Sequence, residues 1–136
     1  MNGPSVRIID ANIIIRFLLR DDPILSKRAK SLFTDAEDGK FFCYLDEVTV
    51  AEVIWVLTSV YKTNRDTVAH MIEALLVHDW VVNSRKNTIF RALSFYRMST
   101  LNYVDCWLLA VSEEKHITLE TFDMKLAKSM KKRSRS

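Results

Sequence analysis

Two aspartates lie at the ends of apolar runs that predict β-strands. Asp10 closes the run at residues 6–9, whose β-branched side chains predict a strand buried on both faces, and Asp123 follows a similar run at residues 117–122. In an open parallel α/β sheet, ligands bind beyond the carboxyl ends of the strands. Both aspartates are therefore candidates for a functional site at that edge of a sheet.

Two further acids are brought towards the same edge by predicted helices. Glu52 lies about one turn into a helix predicted over residues 49–61, after a strand predicted at residues 41–45. Asp105 lies in the first turn of a helix predicted over residues 102–115. Carboxylates gathered at one edge repel one another unless a cation is present, and hard oxygen ligands select Mg²⁺ or Mn²⁺ rather than zinc. The four acids together predict a site for one or two such ions.

Each acid also has a simpler interpretation as a helix cap. Thr49 and Glu52 match the capping-box pattern, and Asn102 with Asp105 resembles one loosely. The two aspartates that follow strands could each cap the next helix. A capping role does not prevent metal binding, because the first turn of a helix already favours anionic groups.

The other polar residues offer alternatives to Glu52 as a metal ligand, and they argue against zinc sites and covalent catalysis. Asp46 and Glu47 lie close enough to Glu52 in the chain for either to replace it as a ligand. The three histidines show no zinc or triad spacing, and no serine or cysteine has a recognisable base, so covalent catalysis is not expected. With only two glycines and two prolines among 136 residues, a phosphate-binding glycine-rich loop is excluded.

The predicted elements alternate strands with helices or helix pairs, which implies a parallel sheet with helices on both faces. Residues 1–128 are predicted as one domain, followed by a basic tail at 129–136. The other helices are predicted at residues 13–20, 22–35, 64–78, 87–98 and from 123 onward, and a further strand at 80–82.

Composition favours a cytoplasmic protein. Cys43 and Cys106 lie in apolar runs and are predicted to be reduced core residues, the first five residues lack the pattern of a signal peptide, and no apolar run is long enough to cross a bilayer. The net charge of +3 is concentrated at the end of the chain, where it suggests contact with nucleic acid, a solvated disordered end being the alternative. The basic residues of that end include Lys125, Lys128, Lys131, Lys132, Arg133 and Arg135.

Four segments match the motifs of a known family in order and separation. They are residues 8–12 (IIDAN), 50–57 (VAEVIWVL), 103–110 (YVDCWLLA) and 121–126 (TFDMKL), and together they span nearly the whole chain. The chain resembles a PIN domain, and among PIN domains it resembles the toxin half of a VapBC-type toxin–antitoxin pair.

The resemblance implies a PIN-like three-layer α/β/α sandwich with four or five short strands. It implies a Mg²⁺- or Mn²⁺-dependent endoribonuclease that forms a homodimer and is inhibited by a small antitoxin protein. It also implies that Asp10, Glu52, Asp105 and Asp123 are the catalytic and metal-binding acids, with Asp10 and Asp105 as direct ligands and Asn12 and Thr121 supporting them. Candidates for RNA contacts are Arg16, Arg20, Lys131, Lys132, Arg133 and Arg135.

Two departures from the family pattern and four competing functions bear on this interpretation. Many relatives carry an acid where this chain has Asn102, and no fifth strand can be predicted at residues 129–136. A DxD phosphotransferase needs an acid where Asn12 stands, and a receiver domain needs an acid after the third strand, where residues 82–84 have none. A non-toxin RNA-processing nuclease and a catalytically weak RNA-binding scaffold are the remaining alternatives.

Overall fold

The computed structural model describes Gly3 and residues 5–134, with the backbone alone at 133 and 134. The chain divides into two compact units, Met1–Lys86 and Asn87–Ser136. The described elements are β1 (Ser5–Ile8), α1 (Ala11–Leu19), α2 (Pro23–Glu37), β2 (Phe41–Tyr44), α3 (Glu47–Ser59), α4 (Arg65–Leu76), β3 (Val81–Val82), α5 (Lys86–Met98), α6 (Tyr103–Lys115) and α7 (Met124–Ser134).

The first unit contains a parallel sheet in the order β1-β2-β3. Ile8 is level with Tyr44, and Tyr44 is level with Val82, so the three carboxyl ends lie at one edge. Ile9 continues the pairing by donating its N–H to the Tyr44 carbonyl at 3.1 Å. The predicted parallel α/β arrangement is thus confirmed for these strands.

Side-chain caps fix where helices of the first unit begin. The Asp22 carboxylate accepts the N–H groups of Ile24 and Leu25 at 3.1 and 3.0 Å, and Pro23 takes the first helical position of α2. Asn64 caps α4 in the same way. Buried apolar side chains of the helices and β2 form the core of this unit, among them Phe33, Cys43, Val53, Leu57, Ile72 and Leu76.

The second unit consists of α5, α6 and α7. The Asn102 side chain accepts the Asp105 N–H at 3.0 Å and so caps α6. The buried side chains of this unit include Ile89, Leu93, Cys106, Leu109 and Leu126. Both cysteines are free thiols, and no helix in the described part of the chain is long and apolar enough to cross a membrane.

The predicted number of strands is wrong for the described residues, which form three strands rather than four or five. Residues 117–122, predicted as a strand, pair with no described strand and have no regular secondary structure, and Ile117 and Phe122 are exposed. Strand propensity reflects packing on a pleated surface, so apolar β-branched residues alone do not create a strand without a neighbour to pair with.

Two other expectations need correction. β1 was expected to be buried on both faces, yet Val6 is 57% exposed and Ile8 71%; among the described strands, β1 lies at the end of the sheet and pairs with β2 alone. The last helix was expected to fade into the basic tail at residues 129–136, yet α7 continues to Ser134. Lysine and arginine are good helix formers, so a basic composition does not end a helix.

Candidate functional site

Asp10 lies two residues beyond β1 and directly before α1. Its backbone has the extended conformation of an N-cap, but its side chain makes no capping hydrogen bond. Within the described part of the chain, nothing donates a hydrogen bond or forms an ion pair with this exposed carboxylate. The capping interpretation is therefore wrong for the Asp10 side chain, which is available to a ligand.

Glu52 is separated from its two competitors by their hydrogen bonds. Asp46 caps α3 by accepting the Val48 N–H at 3.0 Å, so α3 begins at Glu47 and the capping box expected from Thr49 is wrong. Glu52 then lies in the second turn of α3, exposed, and no described residue bonds to its carboxylate. Of the neighbouring acids, Glu52 is the one that keeps both oxygens free.

Glu47 is engaged by a polar cluster that sequence reasoning missed. Its carboxylate accepts a short hydrogen bond from the Asn83 side chain and lies 3.8 Å from Arg85 Nη1. Asn83 is buried, and its side chain also donates to the Leu45 carbonyl at 2.8 Å. Asn83 directly follows β3, as Asp10 follows a strand predicted from the sequence. Its position at a strand end is the signal by which it could have been found. The cluster joins the carboxyl ends of β2 and β3 to the start of α3.

Asp105 is placed by the cap of α6. Its N–H is bonded to Asn102, which leaves the half-buried carboxylate with no hydrogen bond or ion pair to any residue that the structure describes. Asn102 thus performs a structural task, because its side chain caps α6. The loose resemblance to a capping box is not realised, because the Asp105 side chain does not take part in the cap.

Asp123 does cap the helix that follows it. Its Oδ1 accepts the Leu126 N–H at 2.9 Å, and its carbonyl accepts the Ala127 N–H at 3.0 Å. Thr121 Oγ1 accepts the Asp123 N–H at 3.0 Å, so this threonine holds the backbone from which the acid projects. The carboxylate is exposed, and its Oδ2 makes none of the hydrogen bonds found among the described residues.

The donor set suits a hard divalent cation. The four acids provide carboxylate oxygens, which are the ligands that Mg²⁺ and Mn²⁺ prefer. Asp10 and Glu52 belong to the first unit, Asp105 and Asp123 to the second. No group of three or more His, Cys, Asp or Glu side chains in the described part of the chain is arranged to hold a metal ion. The fit therefore rests on the chemistry of the acids and on their freedom from other partners.

Two of the predicted RNA-contacting arginines differ in their surroundings. Arg16 Nη1 binds both oxygens of Asp21, at 2.9 and 3.0 Å. This hydrogen-bonded pair raises the pKa of Arg16 and lowers that of Asp21. Arg16 also lines a cavity of about 380 Å³ between α1 and α2, together with Asn12 and Arg28. Arg20 lies at the end of α1. Its exposed side chain has no partner among the described residues.

Of the predicted contacts at the chain end, Lys131 and Lys132 are exposed on α7. The side chain of Arg133 and all of Arg135 lie outside the described residues.

Comparison with known families assigns the chain. The PIN domain family model matches residues 7–131, which include all four acids. The chain belongs to the PIN domain family, whose members are generally metal-dependent nucleases. Searches of curated proteins and of solved structures gave no significant match.

Proposed function

We propose that the protein is a Mg²⁺- or Mn²⁺-dependent endoribonuclease and the toxin of a type II toxin–antitoxin pair. The observation that carries the nuclease proposal is the family match over residues 7–131, within which the carboxylates of Asp10, Glu52 and Asp105 have no partner among the described residues. Carboxylates left without partners are what a metal site requires in the absence of its ion.

In this proposal, Asp10, Glu52, Asp105 and Asp123 hold one or two ions, with Asp10 and Asp105 as direct ligands. When bound, the divalent ion activates water and neutralises charge on the phosphate. Asn12 and Thr121 support the ligands, Thr121 by fixing the backbone of Asp123. Because water is the nucleophile, the 2′-hydroxyl is not needed, and cleavage leaves 5′-phosphate and 3′-hydroxyl ends.

The substrate is RNA, and basic side chains would hold its backbone. Arg20 is the better placed of the two arginines, since Arg16 is already paired with Asp21. The remaining contacts are assigned to Lys131, Lys132, Arg133 and Arg135 in the basic segment at residues 129–136. We further propose a three-layer α/β/α domain over residues 1–128, a homodimer, a small antitoxin partner and a cytoplasmic location, which the two free buried thiols favour.

The nuclease proposal is tested by incubating purified protein with mixed RNAs in Mg²⁺, Mn²⁺ or EDTA and mapping the cut ends. Cleavage with either metal, none with EDTA, and 5′-phosphate products are expected. Cleavage in EDTA, or products with cyclic phosphates, would contradict it.

The toxin proposal predicts that expression alone arrests a bacterial host and that a small protein encoded beside it restores growth. Normal growth with active protein present would favour an RNA-processing nuclease.

Asn102 favours a second candidate, a catalytically weak RNA-binding scaffold. Where many relatives place an acid, this side chain caps α6 instead. RNA binding without metal-dependent cleavage in the same experiment would support the scaffold.

A further inference from the structure

A stripe of lysines lies along α7 in the second unit. Lys125, Lys128 and Lys132 are three and four residues apart, a spacing that places them on one face of the helix. All three side chains are exposed. Their positions span two turns, or about 10 Å of helix. The stripe is therefore a linear run of positive charge rather than a scattered set.

The stripe borders a cavity of about 550 Å³ whose wall is apolar. Lys125, Ser129 and Lys132 line it on the side of α7. No acidic residue is among the described side chains that line it, so its charge is purely positive. The opposite wall is formed by Phe95, Met98, Leu101 and Leu109.

Contacts at both sides fix the shape of this cavity. Lys125 Nζ donates to the Thr100 carbonyl at 3.2 Å, which ties α7 to the turn between α5 and α6. Arg91 lies over the Phe95 ring, 4.5 Å from its centroid, and restrains that part of the wall. Met98 is 83% exposed, so the apolar wall reaches the surface.

We propose that this α7 groove, defined as the three lysines and the cavity beside them, binds single-stranded RNA. The lysines would hold phosphates, and the apolar cavity would take one base. The proposal rests on the proposed ribonuclease function and deepens it. A paired base is held within its helix, whereas an unpaired base can turn out onto a protein surface, so the groove favours single strands.

The α7 groove begins close in the chain to Asp123, one of the proposed metal-binding acids. Asp123 caps α7 and precedes the first lysine of the stripe by two residues. An RNA strand that follows the stripe towards the beginning of α7 therefore reaches one of the proposed metal-binding acids. The groove would hold the substrate on the side of Asp123, and RNA without unpaired bases would be a poorer ligand.

The first test measures RNA binding against salt, in EDTA, with full-length protein carrying Asp10→Asn so that binding is separated from cleavage. In that background, replacing Lys125, Lys128 and Lys132 by Gln should flatten the slope of log affinity against log salt by up to about 2.1, at about 0.7 for each phosphate on a single strand. The matched control replaces three exposed lysines elsewhere by Gln, namely Lys30, Lys40 and Lys115. An equal change in both triple variants would overturn the proposal.

The second test addresses the base. A short single-stranded RNA should bind more tightly than the same strand with abasic positions, because a base in the cavity would remove apolar surface from water. Ser129→Phe, which fills the cavity, should abolish this difference and leave the salt slope unchanged. Thr100→Trp serves the same purpose from an exposed position if Ser129→Phe does not fold.

An abasic penalty that survives in the filled variant would overturn the base site. If the triple lysine variant lost binding to anionic vesicles but not to RNA, RNA would be overturned as the occupant. Stripe-dependent RNA binding by wild-type protein that cleaves nothing would count against the nuclease proposal but not against the groove.

Discussion

Asp10 and Asp105 are the residues on which the proposed chemistry depends most directly. Neither carboxylate has a partner among the described residues, and neither holds the fold together. Replacing either by Asn keeps the size of the side chain and removes its charge. Because residues that only support a metal ligand cost about 10- to 100-fold on mutation, loss of a direct ligand should lower cleavage by more than about 100-fold.

The melting temperature of both variants should stay the same or rise, since functional acids are often a burden on stability. Activity is measured on labelled RNA with Mg²⁺, and folding by circular dichroism. Asp22→Asn is the control, because it removes the charge of an aspartate outside the proposed site and Asn can replace Asp22 as the cap of α2. A fully active Asp105→Asn protein would remove Asp105 from the site.

Cys43 supplies a prediction about pH. Burial raises the pKa of its thiol to about 11, from an ordinary value of 9.0, against a smaller opposing effect of Arg7. Between pH 9 and pH 11, the Cys43 thiol therefore keeps its proton in the folded state and loses it in the unfolded chain. The stabilisation is fully present below pH 9 and is lost as pH rises towards 11. In Cys43→Ala this loss should be absent, so the stability gap between the two proteins should narrow over that range in chemical unfolding experiments. A constant gap would show that the thiol does not titrate differently on folding.

Helix starts are the elements that the sequence predicted best. The Asp22–Pro23 pair and Asn64 each combine a capping side chain with local backbone preferences, and neither depends on distant residues. Residues 117–122 had an equally clear strand pattern but need a neighbouring strand, which no local signal supplies. Glu47 and Asn83 are 36 residues apart, and their pairing likewise could not be predicted. The acids themselves were found because each lies beside a strand end or a helix start.

Asp123 lets capping be separated from metal binding within one element. Asn caps a helix about as well as Asp, so Asp123→Asn should preserve the stability of the protein while abolishing the proposed ligand. Asp123→Ala should lose both, with a cost of about 1 kcal/mol in the free energy of unfolding. Urea unfolding and RNA cleavage measured on the two variants give the comparison. Equal stability of the two variants would show that the hydrogen bond to Leu126 contributes nothing.

The cap of α6 offers the converse experiment. Asn102→Asp should keep the cap on the Asp105 N–H and add a carboxylate three residues before Asp105. We expect half-maximal cleavage at a lower Mg²⁺ concentration than in the wild type. Asn64→Asp makes the same change at the cap of α4 and should leave the Mg²⁺ dependence unchanged. If both variants respond alike, added negative charge rather than the position explains the effect.

At the scale of the whole chain, the family match includes residues of both compact units. It covers residues 7–131 and therefore both compact units and all four acids. The four sequence motifs predicted this membership because their order is preserved along the chain, a property that needs no knowledge of strand pairing. The number of strands could not be predicted from the motifs. A segment becomes a strand only where it pairs with another segment, and the order of the motifs does not record that pairing.

The three non-glycine residues with left-handed backbones have a consequence for engineering. Arg20, Lys62 and His116 have φ values of 56°, 55° and 54°, a conformation that disfavours any residue with a side chain by roughly 1 kcal/mol. Two of them, Arg20 and His116, are the C-caps of α1 and α6. Glycine adopts this conformation freely, so Lys62→Gly and His116→Gly should each raise the melting temperature, while Gly introduced at Lys40 should not.

Lys62→Gly and His116→Gly leave all four proposed metal-binding acids in place. Arg20 is not replaced, because it is a candidate RNA contact. If neither variant melted at a higher temperature, the left-handed positions would not be strained. If both did, the chain would have a reserve of stability that its scarcity of glycine has left unused, and that reserve could offset a destabilising change elsewhere in the molecule.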